Sequence, residues 1–155
     1  MKSLTVYTDG ACSGNPGNGG YGIVMLYGTF RKEISCGYRH TTNNRMELLA
    51  VITALKALKE PCQVDLYSDS KYVIDSITKG WVYGWKKKGW IKSDKKPALN
   101  SDLWEILLKL TEKHQLHYHW VKGHADNAYN NRCDALAVEQ RDKYAASEGK
   151  YEEKL

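Results

Sequence analysis

The sequence lacks the features that mark disulfide-bonded, secreted and membrane proteins. Its four cysteines (Cys12, Cys36, Cys62 and Cys133) show neither a CxxC pair nor another zinc-ligand spacing. No apolar run approaches the length of a membrane span, and the first residues enter a strand pattern without the apolar core of a signal peptide. Repeats, low-complexity tracts and linkers are also absent from the sequence. We therefore expect a cytosolic, reduced, single-domain protein that buries about 70 % of its unfolded surface.

The positive charge is concentrated in one segment. The formal net charge is +5 at pH 7, and residues 81–96 alone hold six lysines against one acid, so the rest is neutral overall. Three of the five tryptophans lie among these lysines. Interleaved lysine and aromatic residues suit a nucleic-acid strand, whose phosphates and bases they can contact. A solvated lysine loop with core tryptophans fits equally well, and the residues alone leave both interpretations open.

The order of hydrophobic patterns predicts an α/β fold. We predict strands over 4–8, 21–27, 30–38, 63–68 and 116–121, and helices over 43–59, 70–79, about 100–113 and 130–144. This order predicts a mixed five-stranded sheet, three antiparallel strands then two parallel, flanked by helices. One domain over 1–144 includes the basic protrusion at 81–96, and a polar, disordered tail follows at 145–155.

Four acidic residues occupy positions where an acid needs an explanation. Asp9 and Asp69 each follow a predicted strand, at the carboxyl end where open α/β sheets bind ligands. Glu47 lies on the apolar face of its helix, and Asp134 opens the last apolar helical stretch. A carboxylate in apolar surroundings is costly without a positive partner, and Mg²⁺ is a natural partner for several carboxylates.

Each acid taken alone also has an ordinary structural interpretation. Asp9 and Asp69 fit turn positions, and Asp134 fits the positive end of its helix. Glu47 could pair with Arg45 or Lys71. Only the set of four favours a metal site over these interpretations.

Glycines and histidines give weaker signals. Residues 17–22 match G-x-G-x-x-G, but a strand pattern follows where a dinucleotide site requires a helix. The wider loop over 10–17 lets backbone approach a ligand beside Asp9, or is an ordinary turn. His124, in the loop after the last strand, is a candidate proton carrier or a surface histidine. His117 and His119 share one strand face and could bind metal, although a solvent-facing pair is the favoured interpretation.

Several blocks together resemble bacterial type I ribonuclease H. They are YTDG at 7–10 with the glycine-rich loop, TTNNRMEL at 41–48, SDSKYV at 68–73, WKKKGW at 85–90, and WVKGH at 120–124 through NRCD at 131–134. The blocks follow the family's order and spacing over about residues 3–144. The resemblance implies the ribonuclease H-like fold.

The same resemblance implies an activity. It predicts an endonuclease that hydrolyses the RNA strand of RNA/DNA hybrids and leaves 5′-phosphate and 3′-hydroxyl ends. Asp9, Glu47, Asp69 and Asp134 match the acids that hold two Mg²⁺ or Mn²⁺ ions in the family. His124 matches a mobile-loop histidine assigned to proton transfer or product release. The expected partner is the hybrid duplex, with no membrane association and a monomeric protein.

The resemblance also implies the substrate contacts. The residues expected to face the minor groove are Cys12, Ser13, Asn15, Asn43 and Asn44. Those matching a DNA-phosphate pocket are Thr42 and Asn100, and those of the basic protrusion are Trp81, Trp85, Lys86, Lys87, Lys88 and Trp90. Two positions depart from the family. Lys71 replaces a glutamine that contacts the minor groove, and Asn130-Asn131 replaces an acid that often precedes Arg132.

Two other functions stay open at this point. One is a non-catalytic hybrid-binding module of the same fold, which the complete set of acids disfavours because a binder gains nothing from carboxylates beside phosphate. The other is a DNA-cutting, integrase-like nuclease, which the hybrid-reading blocks disfavour.

Overall fold

A mixed five-stranded sheet forms the centre of the computed structural model, which describes residues 1–123 and 127–146. The strands are β1 (Lys2–Gly14), β2 (Gly17–Tyr27), β3 (Phe30–Thr41), β4 (Cys62–Ser68) and β5 (Gln115–Trp120). They lie in the order β3-β2-β1-β4-β5. Antiparallel pairing joins β1, β2 and β3, and β4 and β5 run parallel to β1. The predicted sheet is confirmed in strand number and direction.

Five helices accompany the sheet within the described residues. They are α1 (Asn43–Lys56), α2 (Lys71–Thr78), α3 (Trp81–Lys87), α4 (Ser101–Thr111) and α5 (Ala128–Ala146). Helix α1 is buried along almost its whole length, because it packs on β1 and β2 and is covered by α4. None of the helices in the described ranges is long and apolar enough to cross a membrane.

The structure differs from the predicted elements in three places. β1 continues to Gly14 and pairs with β2 up to Gly14↔Gly17, so most of the predicted glycine loop is a β-hairpin. The basic protrusion contains helix α3, which the predicted element order left out. Helix α5 begins at Ala128, before the predicted residue 130, because the Asn127 Oδ1 atom accepts hydrogen bonds from the Tyr129 and Asn130 backbone N–H groups. Helix α5 also runs through residues 145 and 146, which were predicted to belong to the disordered tail, and the rest of the tail lies outside the described residues.

Helix α5 packs on the sheet face opposite α1. Side chains alternate along β2, and a Cβ on Gly19 would meet Met46 of α1 whereas one on Gly20 would meet Ala137 of α5. A Cβ on Gly22 would lie 2.3 Å from the Cys133 carbonyl oxygen, so only glycine lets the helix come this close. This close packing places the residue after Cys133, Asp134, beside β1.

Candidate active site

The parallel pairing of β1 and β4 ends at Thr8↔Ser68. Asp9 and Asp69 directly follow this last pair of residues, so their side chains meet at the end of β4. The Trp120 indole N–H donates to the Asp69 carbonyl oxygen at 3.1 Å and ties this turn to the end of β5. The Ser70 hydroxyl then caps α2 by accepting from the Val73 N–H. Asp69 follows the last residue of β4, as predicted, whereas Asp9 lies within β1, which continues to Gly14 instead of ending at residue 8.

Glu47 is buried in the second turn of α1 and reaches the same point. The helix passes so close to β1 that a Cβ on Gly10 would lie 2.8 Å from the Glu47 backbone nitrogen. The Gly10 N–H lies 3.0 Å from Glu47 Oε1 and 2.9 Å from Asp9 Oδ1, so one donor serves two carboxylates. The second oxygen, Glu47 Oε2, is buried and has no hydrogen-bond partner among the described residues.

Three carboxylates therefore converge. Oxygen atoms of Asp9, Glu47 and Asp69 all lie within 4.8 Å of one another. Burial raises the pKa of Asp9 to about 10, with further contributions from the charges of Glu47, Asp69 and Asp134. Burial is the largest cause that raises the pKa of Glu47, and repulsion from Asp69 is the second. The hydrogen bond from the Gly10 N–H lowers this pKa and only partly opposes the increase. The buried acids therefore keep protons that they would release in water, and a bound cation would take the place of those protons.

The cations named as possible partners of Glu47 have other partners. Arg45 makes a two-pronged ion pair with Asp102, at 3.0 Å and 2.7 Å. The Lys71 ammonium lies 4.8 Å from the centre of the Trp120 ring. Carboxylate oxygens with one unused buried acceptor are what a hard divalent cation requires, so the residues present fit Mg²⁺ or Mn²⁺.

Asp134 stands slightly apart from the three converging acids. It is half-buried on α5 and is close enough to contribute to the raised pKa of both Asp9 and Glu47. Its neighbour Cys133 is fully buried, with its thiol 3.3 Å from the Tyr7 carbonyl oxygen of β1. That contact fixes this turn of α5 against the strand that carries Asp9.

His124 lies outside the described residues, so its predicted role stays a prediction. The chain that leads to it does pass the acids. A Cβ on Gly123 would lie 3.0 Å from Asp69 Oδ2.

The residues expected to face the minor groove gather where the β1–β2 hairpin meets α1. Asn15 Oδ1 accepts from the Asn43 N–H at 3.3 Å, and the Cys12 thiol lies 3.3 Å from the Thr41 carbonyl oxygen. Ser13 is exposed on the hairpin, whereas Asn44 is half-buried in the first turn of α1. These contacts join the hairpin to the residues at the start of α1.

Thr42 and Asn100, matched to a phosphate pocket, are linked through Arg45. The Thr42 hydroxyl accepts from the Arg45 backbone N–H at 3.2 Å, and the Arg45 guanidinium donates to Asn100 Oδ1 at 3.2 Å. The amide of Asn100 donates in turn to the Tyr72 hydroxyl, which also accepts from the Trp104 indole. The linking roles of Arg45 and Tyr72 were not predicted from the sequence, although both residues lie inside the motif blocks.

The tryptophans of the basic protrusion differ in burial, so some fit the core interpretation and one fits the surface interpretation. Trp85 and Trp90 pack against the hydrophobic core, and the Trp90 indole donates to Glu105 at 2.7 Å. Trp81 is 47 % exposed and supports the surface interpretation. Glu105 also pairs with Lys86 at 3.7 Å. Lys87 and Lys88 are exposed, and no ion pair involving them occurs among the described residues.

Comparison with known proteins identifies the family. The family model described as RNase H matches residues 1–142, which is most of the chain. The chain belongs to the RNase H family. Curated relatives of this RNase H include ribonuclease H of Desulforamulus reducens, which is 62 % identical over 138 residues. The match covers 89 % of this chain and 87 % of the relative. Ribonuclease H of Chlorobaculum parvum is 58 % identical over 136 residues, 88 % of this chain and 93 % of the relative.

Solved RNase H structures share the fold. LC9-RNase H1, a type 1 RNase H with the type 2 active-site motif, is 30 % identical with a TM-score of 0.83, over 92 % of this chain and 74 % of that one. LC11-RNase H1, solved in complex with an RNA/DNA hybrid, is 24 % identical with a TM-score of 0.72, over 92 % and 99 % of the two chains. The likeness to LC11-RNase H1 concerns the fold. This chain is an RNase H enzyme, and its buried acidic cluster is the metal-binding feature expected of that family.

Proposed function

We propose that this RNase H hydrolyses the RNA strand of RNA/DNA hybrids with two divalent ions held by Asp9, Glu47, Asp69 and Asp134. The products are a 5′-phosphate and a 3′-hydroxyl, and Mg²⁺ is the preferred ion, with Mn²⁺ as a substitute. The observation that carries the proposal is the convergence of three carboxylates within 4.8 Å, with a buried Glu47 oxygen that lacks a hydrogen-bond partner in the part of the chain that the structure describes. We further propose that the enzyme acts as a monomer in the cytoplasm.

The protein's own contribution is to hold the acids in place before substrate arrives. When bound, two divalent ions supply an activated water and stabilise the leaving oxygen of an in-line displacement. The Gly10 N–H keeps Glu47 and Asp9 oriented toward each other. Trp120 fixes the backbone of Asp69, and the close packing of α5 on β1 sets the position of Asp134.

Proton transfer and product release are the proposed tasks of His124. Its support is its place in the WVKGH block and the passage of Gly123 beside Asp69. A histidine on this segment can titrate near working pH, as a proton carrier requires.

Hybrid recognition is proposed for three surfaces. RNA is distinguished from DNA by its 2′-hydroxyl, which the hairpin and α1 surface of Cys12, Ser13, Asn15, Asn43 and Asn44 would contact in the minor groove. Thr42 and Asn100 would bind a DNA phosphate, and the protrusion of Trp81, Trp85, Lys86, Lys87, Lys88 and Trp90 would grip the DNA strand. By the same resemblance Lys71, whose ammonium lies over the Trp120 ring, would also contact the minor groove.

The competing proposal is a hybrid-binding module without turnover. The buried cluster argues against it, because like charges held together destabilise the metal-free fold and add nothing to phosphate binding. The two proposals differ in what happens to the RNA strand.

Incubation with end-labelled RNA/DNA, RNA/RNA and DNA/DNA duplexes, with and without Mg²⁺, tests the function. We expect Mg²⁺-dependent cleavage of the hybrid RNA alone. Asp69→Asn should abolish cleavage while hybrid binding is retained, since it removes metal-binding charge but little phosphate contact. The matched control is Asp142→Asn, an exposed acid paired with its neighbour Arg141 on α5, which should cleave normally. Near-normal turnover in Asp69→Asn would refute the metal-site assignment.

A further inference from the structure

One sheet face carries an ordered set of polar side chains that hybrid cleavage does not use. Helix α5 packs on β1, β2 and β3, and on that face β4 and β5 present residues to solvent. Polar side chains pair across these strands: the Ser3 hydroxyl lies 3.1 Å from Gln63 Oε1, and Gln63 Nε2 donates to Gln115 Oε1 at 3.1 Å. The next positions along the same face are Asp65 on β4 and His117 on β5, followed by His119.

His119 is held in a defined orientation on this face. Its Nε2 atom lies 2.8 Å from Asp65 Oδ1, and its ring stacks on Tyr67 with centroids 4.5 Å apart and planes 17° apart. Tyr67 stacks in turn on Tyr7 of β1 at 4.8 Å. Both members of the pair stay accessible, since the His119 and Asp65 side chains are 41 % and 48 % exposed.

His117 completes a three-residue arrangement. It is the direct cross-strand partner of Asp65 in the parallel pairing of β4 with β5. It also lies two residues before His119, so both imidazoles leave the same face of β5. Directly paired side chains on neighbouring strands are about 5 Å apart at Cβ, within reach of an exposed imidazole that rotates about its side-chain bonds.

We propose that His117, His119 and Asp65 form a second cation site, selective for borderline transition ions such as Ni²⁺ or Zn²⁺. Two imidazoles and one carboxylate match the donor preference of these ions, whereas a cluster of carboxylates alone suits Mg²⁺. An ion with bonds of about 2.0–2.2 Å to nitrogen and oxygen fits between His119 and Asp65 if the two atoms separate by roughly half an ångström. Two ligands are in place, and rotation of His117 supplies the third.

The proposed site is distinct from the acidic cluster. Asp65 lies three residues before Ser68, the last residue of β4, a separation of about 10 Å at a rise of ~3.3 Å per residue, and Asp69 follows in the next turn. Among the described residues, the ligands that already converge in a group of three are those of Asp9, Glu47 and Asp69. Occupation of the second site would link β4 to β5 without changing the charge at the first.

Calorimetric titration of the untagged protein with Ni²⁺, in saturating Mg²⁺ to fill the acidic cluster, tests the proposal. We expect one Ni²⁺ per chain. His119→Asn, His117→Asn and Asp65→Asn should each weaken binding by tenfold or more. At a free Ni²⁺ concentration 100 times Kd, the unfolding equilibrium constant of the native protein should fall about 100-fold.

His40→Asn is the matched control, because His40 is an exposed histidine on β3 with a φ of 57°, a conformation that asparagine tolerates. Its Ni²⁺ affinity should equal that of the native protein. Circular dichroism and cleavage of hybrid should be unchanged in all four variants, since none alters the core or the acidic cluster. Absence of Ni²⁺ binding by the native protein, or undiminished binding in either His117→Asn or His119→Asn, would overturn the three-ligand site.

Discussion

Replacement of Asp9 by asparagine should stabilise the metal-free protein while it destroys activity. Asp9 is 3 % exposed, and burial beside Glu47 and Asp69 raises its pKa from 3.8 to about 10. An acid whose pKa is raised on folding favours the folded state only where it stays protonated in the unfolded state, below pH 3.8. As the pH rises above that value, the unfolded chain releases the proton and the folded protein does not, so the stability falls.

The structure sets the size of this effect. The loss of folding free energy at pH 7 is the same for any folded-state pKa well above 7. It depends only on the pH interval from 3.8 to 7, over which the unfolded chain is deprotonated and the folded protein is not. At about 1.36 kcal/mol per pH unit the ceiling is about 4 kcal/mol. Sharing of protons among the neighbouring acids reduces it, so we expect Asp9→Asn to gain about 1–4 kcal/mol in the free energy of unfolding at pH 7.

Urea unfolding in EDTA between pH 4 and pH 8 measures the effect. The stability gap between Asp9→Asn and the native protein should be small at pH 4 and should widen toward pH 7. Mg²⁺ should stabilise the native protein more than the variant, and the variant should not cleave hybrid. Asp102→Asn is a control of opposite sign, because hydrogen bonds from Arg45 lower the pKa of Asp102 and its loss should destabilise slightly. An equal stability of Asp9→Asn and native protein at every pH would refute the electrostatic argument.

Three further predictions concern other regions. Alanine at both Lys87 and Lys88 should weaken hybrid binding. The slope of log binding constant against log salt concentration should become shallower by up to about 0.9 for each phosphate that is no longer neutralised. An unchanged slope in binding titrations would remove Lys87 and Lys88 from the interface. His124→Ala should lower kcat by roughly 10- to 1000-fold with little change in KM, and unchanged kcat in steady-state kinetics would end its proposed role. Glu33 has a pKa lowered from 4.5 to about 2 by hydrogen bonds from Arg132 and Arg31, so its contribution is present above pH 4.5 and is lost as the pH falls to 2. Because this pair is exposed, Glu33→Gln should cost at most about 1 kcal/mol at pH 7 and nothing at pH 2, and equal losses at both pH values in urea unfolding would contradict the assignment.

Strand and helix order could be predicted because it depends on local patterns. The alternation of side chains in β4 and the apolar run of α1 are properties of short segments, and both elements were predicted within a few residues. The errors arose where distant contacts determine the structure. Gly10 to Gly14 resemble a loop locally, but they form a strand because β2 pairs with them.

The candidate site divides in the same way. A carboxylate on an apolar helix face is visible in the sequence, so the position of Glu47 in the chain is enough to make it a candidate. The 4.8 Å convergence with Asp9 and Asp69 was not predictable, because it depends on how closely α1 approaches Gly10. The sequence also left open the roles of Trp85 and Trp90, which are partly buried against the core.

The sequence by itself determined most of the order of elements, the family and the candidate acids, since all of these are encoded in short patterns and their spacing. Only the tertiary structure decided which charges share one buried space. Electrostatic cost depends on distance and burial, and both arise from contacts between segments far apart in the chain. The same reason explains why the Asp65–His119 pair, 54 residues apart in sequence, becomes visible only when β5 pairs with β4.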